Sequence, residues 1–183
     1  MSRRESFPLL PAVGIYLVLL AVAAAWSWLR GDQPLLGLSA GRPLFDLSLG
    51  AAAGAAVAGL SALSARHLSW AAAMEDTLVE LLGPVGGRQI IILALASSLA
   101  EEAFFRGALQ PALGLPATAL LFGLAHLAPH RALRPWAVVA AAMGFLLGWL
   151  FLFCDSLLAP LACHLAVNAI GLVRLSARAR ADR

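Results

Sequence analysis

The chain has 183 residues, of which 61% are hydrophobic and only 13% charged. Soluble domains carry about 25% charged residues, so this composition excludes an ordinary soluble fold and points to an integral membrane protein. Its net charge of +3 rests on arginines alone, with no lysine; they flank apolar runs, so they read as topology signals and no nucleic-acid partner is expected.

A helix needs about twenty apolar residues to cross the hydrocarbon core, and that length predicts six spans: 9–29, 45–65, 89–109, 116–129, 135–153 and 157–175. The first follows Arg3 and Arg4 as a signal peptide would, but it is long enough to span and reads as a retained helix. The second carries Gly50, Gly54, Ala58 and Gly59, small residues that let backbones approach closely, so it is expected to pack inside the bundle. Between Arg66 and Arg88, the acidic positions Glu75, Asp76 and Glu80 interrupt the apolar pattern and predict an interfacial helix. The fourth span is short and bracketed by Pro116 and Pro129. Cys154 and Cys163 have no CxxC spacing and read as packing residues. The resulting fold class is all-α, a polytopic transmembrane helical bundle.

Arginine placement orients it. With the N-terminus inside, Arg3, Arg4, Arg66, Arg88, Arg131, Arg134, Arg174, Arg178, Arg180 and Arg183 fall on the cytoplasmic side, against Arg30 and Arg42 outside. Both termini are then cytoplasmic, and the expected location is a bacterial inner membrane.

Inside the third span stand Glu101, Glu102 and Arg106. A charge near the bilayer centre costs roughly 2.5–3.5 kcal/mol even on lenient scales, so three of them need a compensating reason. Glu102 and Arg106 are i,i+4 with the acid first, the favourable order for an internal pair. Glu101 points about 100° away and is free to act elsewhere. Phe122 and His126 share a face at i,i+4, as do His164 and Asn168. At a rise of about 1.5 Å per residue, Glu101, His126, His164 and Asn168 lie roughly 12, 15, 10 and 16 Å from the outer helix ends. Three helices thus deliver polar groups to a common depth.

Residue type supplies the chemistry. A desolvated Glu101 is a candidate general base, and His126 can share a water with it. Asn168 and His164 are donors for a developing oxyanion, with Glu102 and Arg106 as scaffold. The sum describes hydrolysis of an amide by activated water. Ser97 and Ser98 read as back-bonding or packing residues rather than nucleophiles. A rival assignment binds zinc through His126, His164 and one glutamate; no HExxH is present, and no cofactor is expected.

Glu101-Glu102-x-x-x-Arg106, Phe122-x-x-x-His126 and His164-x-x-x-Asn168 together resemble the CPBP family of intramembrane proteases, which includes CAAX prenyl endopeptidases and bacteriocin-processing and immunity relatives. The resemblance spans about 88–175. It implies a glutamate-dependent peptidase in which Glu101 and His126 activate water and His164 and Asn168 form the oxyanion site. It also implies a membrane-associated or lipid-modified protein substrate in the bilayer. The expected organisation is two helices and an interfacial segment over 1–87, a catalytic core over 88–175 and a basic cytoplasmic tail over 176–183. Because the depth count places the site nearer the outer face, processing of C-terminal sorting tails of exported proteins is one expectation, like that of myxosortase-like members. A non-catalytic immunity or scaffold protein and a small proton-coupled transporter are the alternatives.

Overall fold

The second helix shows how composition becomes packing. In the computed structural model, which describes residues 8–31 and 42–182, α2 (Pro43–His67) lies against α7 (Leu158–Ala181) along its glycines. A Cβ placed on Gly50 would sit 2.1 Å from the Ala159 carbonyl oxygen, and one on Gly54 2.4 Å from that of Cys163. Only glycine admits this approach, but the seam is one face of α2 and most of the helix is exposed, so it packs at the side of the bundle and not, as expected, inside it.

Around this pair stand α1 (Leu9–Arg30), α3 (Ser69–Leu82), α4 (Gly87–Glu102), a π-helical turn (Ala103–Leu109), α5 (Gln110–Ala125), a 3₁₀ turn (Arg131–Leu133) and α6 (Arg134–Cys154). Helix α4 opens where Gly86 N–H donates to the Gln89 side chain at 2.9 Å, which satisfies one of the free donors at a helix start. The all-α class is borne out: the described residues are almost wholly helical, and they hold no strand.

Among the described residues five helical stretches, not six, are long and apolar enough to cross a membrane: Leu9–Arg30, Pro43–His67, Gly87–Ala125, Arg131–Cys154 and Leu158–Ala181. The expected third and fourth spans run together as one 39-residue stretch, broken at Gly114. Gly114 has φ +78° and ψ 167°, a conformation that residues with a Cβ rarely adopt, and the chain reverses there. The reversal is visible on α6. Arg106 bonds the Gly144 carbonyl and Gln110 that of Gly148, while beyond the break Leu115 lies at Gly148 and Ala119 at Gly144. The return arm therefore covers only 115–125, about 16 Å of helix, and ends at Ala125 rather than Pro129. His126 caps this arm instead of lying within a span.

Most of the described arginines share one end of the bundle. The links on either side of α3, the 127–133 segment and the end of α7 gather at one end of the bundle, bringing together Arg66, Arg88, Arg131, Arg134, Arg174, Arg178 and Arg180. Arg3, Arg4 and Arg183 lie outside the described residues. The stretch expected as a basic tail continues α7 to Ala181 and is fastened down. Ser176 donates to Val85 O at 2.7 Å and accepts from Val85 N at 3.0 Å, and Arg180 bonds the same carbonyl at 2.7 Å. Glu75 on α3 takes bonds from Arg174 and Arg178, and Asp76 a further one from Arg178. The segment between Arg66 and Arg88 holds a 14-residue amphipathic helix, tied to α7 by these ion pairs.

Candidate active site

The π turn begins at the acidic pair. Such turns widen a helix locally and recur at functional sites. Here it follows Glu102 directly and carries Arg106, whose side chain is fully buried. Arg106 Nη1 donates to Glu102 Oε1 at 2.9 Å, its Nη2 donates to Gly144 O at 3.2 Å, and the guanidinium lies 4.6 Å over the Phe122 ring. The predicted ion pair therefore exists, and it is nailed to α6 and to the face of the FxxxH aromatic.

Helix α5 ends at this depth, and its last motif exploits the ending. A helix terminus leaves carbonyls without partners. The Phe122 carbonyl takes His126 Nδ1 at 2.7 Å, so the imidazole caps its own helix, and the two rings stack at 4.6 Å. Because a carbonyl can only accept, Nδ1 carries the proton and Nε2 presents a lone pair. His164, 5% exposed on α7, places its Nδ1 2.7 Å from Glu102 Oε1, which fixes its orientation in the same way. Glu102 thus serves Arg106 and His164 together.

Glu101 completes the set. Its Oε2 is buried without a hydrogen-bond partner, 3.7 Å from His126 Nε2 and 3.9 Å from His164 Nε2. These gaps are too long for direct hydrogen bonds and of the size that a bridging water closes. Asn168, one turn beyond His164, donates from Nδ2 to Ser97 Oγ at 2.8 Å. Ser97 also back-bonds to Ala94 O at 3.3 Å, the expected bland behaviour, while Ser98 is fully buried. Glu101, Glu102, Arg106, Phe122, His126 and His164 meet in one cluster, and Asn168, the seventh residue singled out in the sequence, joins α4 one turn away at Ser97. Cys163 and Cys154 are free thiols, and His67 and His130 are exposed.

The sequence left some neighbours unmarked. Trp136 packs edge-on against His126 at 5.5 Å. Phe105 meets Phe122 edge-on at 4.9 Å. Gln110 ties the turn after Arg106 to Gly148 O at 3.0 Å. Nothing short of the tertiary fold signals these, since their partners lie on other helices.

Comparison with known proteins points to the same segment. Residues 87–170 match the family model described as type II CAAX prenyl endopeptidase Rce1-like. The "Uncharacterized protein YpbD" of Bacillus subtilis (strain 168) is 35% identical over 83 residues, 44% of this chain and 42% of that protein. The match thus spans less than half the length of that relative. No solved structure matches.

Proposed function

We propose, from the Rce1-like core over residues 87–170, that the chain is an intramembrane endopeptidase cleaving a membrane-associated or lipid-modified protein. One observation carries the mechanism. Glu101 Oε2 is buried without a protein partner and faces two imidazole Nε2 atoms whose Nδ1 positions are already engaged. A water between Glu101 and His126 is held by two acceptors. As its oxygen attacks the scissile carbonyl, Glu101 takes a proton and the carbonyl electrons move onto the oxygen. Asn168 offers an amide donor to that oxyanion. His164, oriented by Glu102 at Nδ1, turns its Nε2 toward the same oxygen. The proton taken from water then passes to the leaving amine as the C–N bond breaks. Glu102, Arg106 and Phe122 hold the two histidines in place.

The reaction so written needs no cofactor. Zinc on His126, His164 and Glu101 is the chemical rival, and loss of activity on chelation with recovery on added zinc would replace the water mechanism.

The face of access follows from the ends of the helices. The depth count measured from 109, whereas the helix continues to the Gly114 break, and His126 sits beside the 127–133 segment at the arginine-rich end. By the positive-inside rule that end is cytoplasmic, which favours a cytosol-facing site in an inner-membrane protein with its C-terminus inside, over sorting-tail processing outside.

The test compares protein termini in cells carrying wild type or Glu101→Gln at matched abundance. New termini that appear only with wild type support proteolysis, and their compartment identifies the face. Identical termini at equal abundance would reject it in favour of an immunity, scaffold or transport role.

A further inference from the structure

At the arginine-rich end, the first turn of α3 meets the first turns of α6 across a groove of about 550 Å³. Small-ligand sites have volumes of roughly 300–1,000 Å³. Trp70 on α3 and Pro135, Val138 and Val139 on α6 give it apolar walls, and Arg131 and Arg134 supply its charge. Helix α6 belongs to the candidate span that starts at Arg131. At a rise of about 1.5 Å per residue, Val138 and Val139 lie roughly 6 and 7.5 Å deeper along that helix than Arg134. Positive charge thus stands at the membrane surface, with apolar wall beneath it.

That charge is uncompensated. Arg131 and Arg134 are exposed, and among the described residues neither side chain has an ion-pair or hydrogen-bond partner. No acidic residue lines the groove, and Glu75 and Asp76 of α3 are taken by Arg174 and Arg178. Both cations also stand at the start of a 21-residue helix with no side-chain cap, where the helix dipole disfavours positive charge. An anion offsets all of these. The walls decide what kind. Apart from the guanidiniums, their one hydrogen-bonding side chain is the Trp70 indole. A peptide laid there would give up backbone bonds to water with little in return, whereas an acyl chain has none to lose.

We propose that this groove binds an anionic phospholipid of the adjoining leaflet, its phosphate between Arg131 and Arg134 and an acyl chain along Val138 and Val139 against Trp70. Guanidinium forks match phosphate oxygens, and basic pockets between helix ends suit anionic headgroups. Trp70 takes the headgroup level usual for a membrane tryptophan. Arg134 also lines a cavity of about 350 Å³ with Leu127, the residue after His126, so the lipid lies beside the candidate active site. The proposal holds whether or not the chain is a peptidase.

The test uses the full chain in phosphatidylcholine nanodiscs containing phosphatidylglycerol brominated on its acyl chains, with brominated phosphatidylcholine as the neutral counterpart. Bromine quenches nearby tryptophan, and the difference between wild type and Trp70→Phe isolates the Trp70 signal. At about fivefold for each arginine, Trp70 should report a preference of about 25-fold for the anionic lipid. Arg131→Gln and Arg134→Gln should each lower it about fivefold, and the double variant should abolish it. Arg66→Gln/Arg88→Gln removes the same charge from exposed positions outside the groove and should leave the preference within about twofold. Equal quenching by the two lipids, or an equal loss in both double variants, would overturn the proposal. So would release of the quenching by millimolar inorganic phosphate or an acidic peptide at constant ionic strength, which would assign the groove to a soluble anion. If the arginine variants fail to fold, the wild-type comparison of the two brominated lipids still decides.

Discussion

Gly54→Ala tests whether the glycine seam between α2 and α7 positions the site. The new Cβ would stand 2.4 Å from Cys163 O and 2.8 Å from Ala166 Cβ, against 3.4 Å or more for ordinary contact. The nearer atom is backbone, so no side chain can swing aside; the helices must part by about 1 Å, and overpacking of this kind costs about 1–3 kcal/mol. Cys163 immediately precedes His164, whose Nδ1 lies 2.7 Å from Glu102. A shift of about 1 Å takes that pair beyond hydrogen-bonding length. Gly59→Ala is the control, because a Cβ there meets nothing within 4 Å on the same helix. Both variants gain the same helix propensity, so the difference between them isolates the packing cost. Equilibrium unfolding in bicelles should place Gly54→Ala about 1–3 kcal/mol below Gly59→Ala, and on the proposed peptidase reading activity should fall further than stability. Equal stabilities would refute the argument that the seam is in hard contact.

The two adjacent glutamates should separate cleanly. Glu102→Ala strands fully buried Arg106 and unpairs His164, a loss of about 3–5 kcal/mol visible as reduced abundance, whereas Glu101→Gln should retain wild-type stability because Oε2 has no protein partner. Ser176→Ala removes both bonds to Val85 and should cost about 1–3 kcal/mol, with faster hydrogen exchange confined to the 83–86 link. The α3 latch predicts a pH dependence. Burial opposes charge on Glu75, but hydrogen bonds from Arg178 and Arg174 outweigh it and hold the carboxyl below its usual range. A lowered folded value stabilises above the unfolded carboxylate value and is lost as pH falls through the folded one. Wild type should therefore melt above Glu75→Gln at neutral pH and converge with it in acid; a gap that persists at low pH would exclude the latch as its source.

What the sequence revealed was periodic and local. Glu102 and Arg106, Phe122 and His126, and His164 and Asn168 are each four residues apart, and a helix places such pairs on one face. Their common depth followed from apolar run lengths, although the individual depths carried the error of the helix ends. The break at Gly114 was hidden because Pro111 and Pro116 punctuate the region equally well, and one glycine between them gives no sign of its φ. The end of α5 at His126 was hidden for a related reason: Leu127 and Ala128 prolong the apolar run after the helix has stopped. Long-range partnerships were beyond reach. Glu102 was assigned to Arg106 alone because i,i+4 geometry offers that partner, while the bond to His164 spans 62 positions.

The unequal lengths of the helices leave the cluster enclosed unequally on its two sides. Helix α4 runs about 21 Å from Gly87 to Glu101, whereas α6 begins only about 3 Å before Trp136, the residue that touches His126. The bundle wall is therefore low on the His126 side at the arginine-rich end. Across that recess lies α3, whose Trp70 joins Arg131, Arg134, Pro135, Val138 and Val139 around a cavity of about 550 Å³. Irregular backbone is tolerated at membrane depth only where protein buries it or water reaches it. The 127–133 segment meets that condition here. On the mechanism proposed above, Glu101 would have to stay desolvated and yet receive water for each turnover, and this asymmetry suits both: tall helices enclose it on one side, and a helix stops at its neighbouring histidine on the other.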